Sequence, residues 1–130
     1  MPLTQYAANA LANASMGGTA FTAPGNPKVA LATTTPTATA AGTEVSGGSY
    51  ARQAITSLTV ATGSTPGSNA NTLTYANMPA VGGGGITSVD VWDNAGTNRL
   101  WYGTLSAAKT VNSGDTFTIA IGNLTYQISS

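Results

Sequence analysis

A mainly β fold follows from two observations. Clusters of Gly, Pro, Asn, Asp and Ser recur every ~8–12 residues between short runs that alternate apolar and polar side chains. Helical periodicity occurs in a single segment, at the start of the chain, and Gly17-Gly18 stops it. The 130 residues fit one domain over 1–130, since domains commonly run ~100–150 residues. The expected architecture is a compact antiparallel β-sandwich or barrel of about seven or eight short strands, with a helix over 3–16 and a β core over 28–130.

In the opening segment Leu3, Tyr6 or Ala7, Ala10 or Leu11, and Ala14 recur at helical spacing, and Ala is the strongest helix former. This Ala-rich stripe is narrow, so the helix needs a surface to lie on: its own sheet or a neighbouring subunit. A Pro/Gly/Asn linker over 22–27 then leads to a strand from Lys28 to Thr33 with Val29 and Leu31 inward. The Thr/Ala-rich stretch 33–43 carries Pro36 and reads as a surface loop.

Glycines 42, 47 and 48 allow a tight bend before Tyr50, from which alternation resumes over 50–60, the longest strand expected, with its Tyr50/Arg52/Leu58/Val60 face turning inward toward the end. On that strand Tyr50 and Arg52 share a face, and the bend can bring Glu44 back toward them. An ion pair between Glu44 and Arg52 under an aromatic lid is therefore one geometry for this corner; a polar strand end with unpaired charges is the other.

Residues 63–69 have loop chemistry, 72–75 form a short strand, and Gly82 to Gly85 read as a mobile linker. That glycine run lacks the Lys-Ser/Thr ending and following helix of a phosphate-binding loop. The β-branched run 86–92, the turn-forming hexad 93–98 and the run 99–105 make the clearest hairpin, with Trp92 and Trp101 on its two arms as caps for the core or contacts for another subunit. After a turn at 112–115, Phe117, Ile119 and Ile121 alternate with polar or small residues. Gly122-Asn123 is then a two-residue turn or a bulge within one strand, leading to a β C-terminus at 124–128.

Composition limits the chemistry. Charged residues make up 6% and the formal net charge is zero, against a usual charged fraction of ~25%. Such a surface has little self-repulsion and suits close packing against copies of itself. There is no Cys and no His, which removes disulfides, thiolate metal sites and the commonest general bases and nucleophiles. The remaining candidates are Glu44, Asp90, Asp93 and Asp115 with Lys28 and Lys109; Asp90 and Asp93 fall on opposite faces of a strand. Asp90, Asp93, Asn94 and Asn98 could offer oxygens to Ca²⁺ but lack the dense acidic spacing of an EF-hand, so turn capping is the expected role. No catalytic residue, metal, cofactor or nucleic-acid partner is expected. No segment reaches the ~20 apolar residues of a membrane helix, and Met1-Pro2-Leu3 lacks the basic flank of a secretory signal, so synthesis in the cytosol without membrane insertion is expected.

A resemblance adds to this reading. The runs Thr33-Thr34-Thr35-Pro36-Thr37, Gly42-Thr43-Glu44-Val45 and Gly48-Ser49-Tyr50-Ala51-Arg52-Gln53 are followed in order by Ile86-Thr87-Ser88-Val89 with Trp92-Asp93. Leu100-Trp101-Tyr102-Gly103-Thr104-Leu105 and Lys109-Thr110-Val111-Asn112-Ser113-Gly114-Asp115-Thr116-Phe117 come next. This series, spread over nearly the whole chain, resembles a family of small tailed-bacteriophage virion proteins, variously labelled tail-fibre or head-associated. The resemblance implies a non-enzymatic structural protein located in the virion. Within that class the first expectation is a capsid decoration or cement protein: a homotrimer, as such proteins commonly are, bound to the major capsid protein on the outside of the head. The alternative is a tail-associated module contacting a receptor or glycan, with Tyr50, Trp92, Trp101 and Tyr102 as an aromatic contact surface.

Overall fold

The structure is a computed structural model and describes residues 1–128. Helix α1 (Gln5–Ser15) precedes strands β1 (Lys28–Ala32), β2 (Gln53–Ala54), β3 (Leu58–Thr59), β4 (Gly67–Asn69), β5 (Leu73–Tyr75), β6 (Val81–Trp92), β7 (Arg99–Val111), β8 (Phe117–Ile119) and β9 (Thr125–Tyr126). The fold is mainly β, with one N-terminal helix and all strand pairings antiparallel. The sheet orders are β2-β1-β6-β7, β3-β4-β9 and β5-β8. These sheets stay open, and no barrel closes.

The core lies between the four-stranded sheet and the β5–β8 pair. Leu73 and Tyr75 flank the exposed Thr74, and Phe117 and Ile119 flank the exposed Thr118, so the pair has one dry face. That face clusters with Val29, Leu31, Val89 and Val91. Tyr75 stays buried because its hydroxyl donates to the Val29 carbonyl at 2.9 Å and its ring meets Phe117 edge-on at 6.0 Å.

The helix starts at Gln5 rather than at residue 3 because Thr4 caps it, its hydroxyl accepting from the Ala7 N–H at 3.2 Å. Residues before the cap are extended along the edge of β7: Leu3 bridges Trp101, Thr4 N–H donates to the Leu100 carbonyl at 2.9 Å, and Tyr102 N–H donates to the Pro2 carbonyl at 3.1 Å. The helix thus packs on its own sheet, burying Ala7.

Three expectations need correction. The stretch 50–60 is not one strand: Gln53–Ala54 pairs with β1 and Leu58–Thr59 with β4, so the chain changes sheets between them. Asn71 makes the crossing possible, its side-chain carbonyl accepting from the N–H groups of Thr56 at 3.0 Å and Ser57 at 3.2 Å. The side turned inward is that of Ile55, 8% exposed, while Leu58 and Val60 face outward at 44% and 66%.

Residues 67–69, expected in a loop, form β4. A Cβ on Gly67 would lie 2.3 Å from the Tyr126 ring, so glycine is what lets that ring cross the strand. Gly82 to Gly85 are not a linker but part of β6, at a register shift between Val81 and Ile86. Gly85, at φ +74°, presses on the Lys109 carbonyl, where a Cβ would lie 2.5 Å away; Gly82 and Gly84 face open space. The hairpin arms are therefore longer than expected, and the strands among the described residues number nine. Of the two readings left open at Gly122-Asn123, the structure has the turn, centred one residue earlier on Ile121-Gly122, with Asn123 N–H donating to the Ala120 carbonyl at 3.2 Å.

Candidate functional site

Two arginine clusters organise the surface beside the four-stranded sheet. At the 42–53 corner, Glu44 bridges the end of β1 at Ala32, which fixes its backbone. Arg52 grips its carboxylate with two hydrogen bonds, from Nε to Oε1 and from Nη2 to Oε2, each 2.9 Å. The Tyr50 hydroxyl donates to Oε1 at 3.0 Å and accepts from the Leu31 N–H at 2.9 Å, while its ring stacks on Tyr75 at 6.0 Å. Arg52 also lies 4.5 Å from the centroid of the Trp92 ring. Partial burial acts to raise the Glu44 carboxyl pKa, but hydrogen bonds from Arg52 and Tyr50 and the charge of Arg52 outweigh it and hold the carboxyl below its ordinary range. Burial, with the Glu44 charge adding to it, pushes the Tyr50 phenol up, so it stays a donor.

The second cluster has no counterpart in the sequence reading. Arg99 Nη1 donates to Asp90 Oδ1 at 2.8 Å, and both side chains are under a tenth exposed. The other Asp90 oxygen accepts from the Gly42 N–H at 2.9 Å, and Arg99 Nη2 donates to the Thr37 carbonyl. Tyr102 lies over the guanidinium, its ring centroid 5.5 Å away. The 33–43 loop is thereby tied down at two points by a buried ion pair, through the Gly42 N–H and the Thr37 carbonyl. Residue spacing within β6 and β7 gave no sign of it, because Asp90 and Arg99 meet only across the hairpin.

The remaining carboxylates cap turns. Asp93 accepts from the N–H groups of Thr97 at 2.8 Å and Asn98 at 3.2 Å. Desolvation acts to raise its pKa, but these bonds, with those from the Asn98 amide and the Gly96 N–H, together outweigh it and lower the pKa. Asp115 accepts from the Asn112 N–H at 3.1 Å. Each of the four Asp and Glu side chains is thus engaged within the fold, and the described residues contain no cluster of three or more metal-ligating side chains. No helix among them is long and apolar enough to cross a membrane.

The four aromatic residues singled out by sequence do not form one platform. Trp101 pairs with Val91 and turns toward the core side, where it meets Tyr126 edge-on at 5.8 Å. Tyr102, the next residue, takes the opposite face with Trp92. Tyr50 is built into the Glu44 cluster.

Sequence reasoning also passed over Asn69 and an apolar face. Asn69 is 2% exposed. Its side chain donates to the carbonyls of Asn71 and Ala120 and accepts from the Leu124 N–H, which knits β4 to the β8–β9 turn. On one face of β3-β4-β9, Leu58 and Val60 lie two residues apart in a register that the Thr62–Thr65 bridge continues, and Ile128 follows two residues after the end of β9. Leu58, Val60 and Ile128 are 44%, 66% and 58% exposed. A cavity of about 160 Å³ is lined by Leu58 with Trp101, Leu124 and Tyr126.

No curated protein matches the chain. A family model described as podophage GP4 fiber I protein gp80 matches residues 2–127. That span takes in both arginine clusters, the capped turns and Leu58 and Val60, and the chain belongs to this family of tailed-phage virion structural proteins.

Proposed function

We propose that the protein is a non-enzymatic subunit of a fibre-type appendage of the virion, assembled from copies of itself. The observation carrying this reading is the match over 2–127 to a family described as a fibre protein, which favours the appendage over decoration of the head shell. The engagement of all four Asp and Glu side chains within the fold supports a structural role, since it leaves none of them placed as a general acid or base.

Self-association would use the Leu58/Val60/Ile128 face. The net charge is zero, so copies meet without net repulsion, and gathering these faces about a shared axis would withdraw three exposed aliphatic side chains from water at ~25 cal/mol per Å². A homotrimer remains the preferred stoichiometry, as in comparable virion proteins.

Electron microscopy of intact particles labelled with a gold-conjugated antibody against this chain tests the location. Label along fibres supports the proposal. Label over the head lattice would replace it with capsid decoration and the major capsid protein as neighbour, and unlabelled particles would overturn both.

A further inference from the structure

The four-stranded sheet ends on β7 and the two-stranded sheet on β8, and an open groove of about 830 Å³ runs between these strands. Residues 103–107 line it without a break on one side and 115–119 without a break on the other. A sheet face would contribute every second residue, so unbroken lining marks two strand edges. Leu105, Val111, Phe117, Ile119 and Leu124 supply apolar surface between them. The β7 edge already holds one short antiparallel segment, in which Leu3 bridges Trp101 and the Pro2 carbonyl accepts from the Tyr102 N–H. Met1 then leaves the edge, its amino group donating to the Thr125 carbonyl at 3.0 Å. From Gly103 to Thr110 the main chain of β7 has no partner among the described residues on the side away from β6.

We propose that this edge takes residues 20–23 of a second copy as an added strand. The inference rests on the reading of the protein as assembled from copies of itself, and it names a contact separate from the Leu58/Val60/Ile128 face. The segment Ala20-Phe21-Thr22-Ala23 lies outside any helix, strand, turn or bend, and its main chain makes no hydrogen bond to the described residues. It therefore carries the same unmet need as the edge. Phe and Thr suit a strand, and adding a strand to an exposed edge satisfies both main chains at once. The charged residues lining the groove are Lys109 and Asp115, of opposite sign, and the segment carries no charge, so the contact sets no like charges against each other.

The segment cannot reach the edge of its own chain. It is tethered on one side by the Gly18 N–H on the Asn13 carbonyl and on the other by the Pro24 carbonyl, which accepts from Asn94 in the β6–β7 turn. From Arg99, next to that turn, to Ala107 is ~26 Å at ~3.3 Å per residue, whereas the few residues between the tethers can bow out by only ~12 Å. Pairing is therefore between copies. Donor and acceptor are different surfaces, so each copy gives one strand and receives one. Such a head-to-tail contact closes into a ring, three copies included, or runs on as a filament.

Hydrogen exchange on the full chain at high concentration, with two substitutions at one position, tests the contact. Thr22→Pro removes an N–H that bonds to nothing in its own chain, so the fold is retained, while Thr22→Ala keeps that N–H. In the parent and in Thr22→Ala, the amides of 20–23 and those between 103 and 110 that β6 leaves free should exchange about tenfold more slowly than in Thr22→Pro. The 73–75 and 117–119 amides should be alike in all three. The chain has no Cys, so disulfide trapping supplies a second readout. Chains carrying Ala107→Cys, mixed with chains carrying Ala20→Cys, Phe21→Cys or Thr22→Cys, should cross-link with at least one of them faster than with Val60→Cys. An oligomeric parent whose edge amides exchange as fast as those of Thr22→Pro sinks this inference alone, as does trapping no faster than with Val60→Cys. Edge protection that survives Thr22→Pro also overturns it and points to two β7 edges pairing with each other. A parent that stays monomeric overturns both this contact and the self-association reading.

Discussion

Asp90 and Arg99 are joined at 2.8 Å across the β6–β7 hairpin with 3% and 8% of their side chains exposed, and the same two residues hold the 33–43 loop through the Gly42 N–H and the Thr37 carbonyl. Removing one partner leaves a buried, unpaired charge, which costs ~3–5 kcal/mol. Arg99→Leu or Asp90→Leu alone is therefore expected to lower stability by about that amount in denaturant unfolding. The double substitution should recover part of it, and additive losses would show that the pair is not coupled. Hydrogen exchange at the Gly42 amide should accelerate in Asp90→Leu, because its acceptor is gone.

The Glu44–Arg52 pair is weaker, since both side chains are about a third or a quarter exposed. After allowance for solvent screening, Glu44→Gln should cost ~1 kcal/mol or less. Its pH signature is sharper than its size. The native carboxyl is held below the unfolded one, so its stabilisation is complete above the ordinary carboxylate value of ~4.3. It is lost as pH falls through that value and then the lowered native one. Melting temperature followed downward from neutral pH should fall less steeply in Glu44→Gln than in the parent; equal slopes would contradict the assignment.

Two glycines should respond oppositely to alanine. Gly67→Ala sets a methyl 2.3 Å from the Tyr126 ring and 2.6 Å from the Thr59 carbonyl, an overpacking worth ~1–3 kcal/mol. Gly82→Ala meets nothing within 4 Å and has no positive φ, so thermal unfolding should show it neutral or slightly stabilised.

Val60→Glu places a charge on the 66%-exposed face proposed for self-association. Like charges would then face one another in each contact. Analytical ultracentrifugation should show the parent as an oligomer and the variant shifted toward monomer, with unchanged circular dichroism. A parent that remains monomeric at high concentration would defeat the proposed interface.

What the amino-acid sequence determined by itself was local. Period-2 alternation at Phe117 and Ile119, the Ala-rich helical stripe ended by Gly17-Gly18, and the turn hexad between Trp92 and Arg99 each act over a few residues, so the mainly β class and the hairpin were legible. The corner residues Glu44, Tyr50 and Arg52 were legible for the same reason: eight residues and a bend bring them within reach. Tertiary structure alone decided the rest, because it depends on partners distant in the chain. Asn71 splits the 50–60 run between two sheets by accepting its free N–H groups. Glycine letters did not reveal whether Tyr126 or Lys109 lay overhead, as at Gly67 and Gly85, or nothing at all, as at Gly82. Whether a polar residue lies at the surface or in a satisfied interior is likewise set by its acceptors and donors, and those of Asn69 and Arg99 come from other strands and loops.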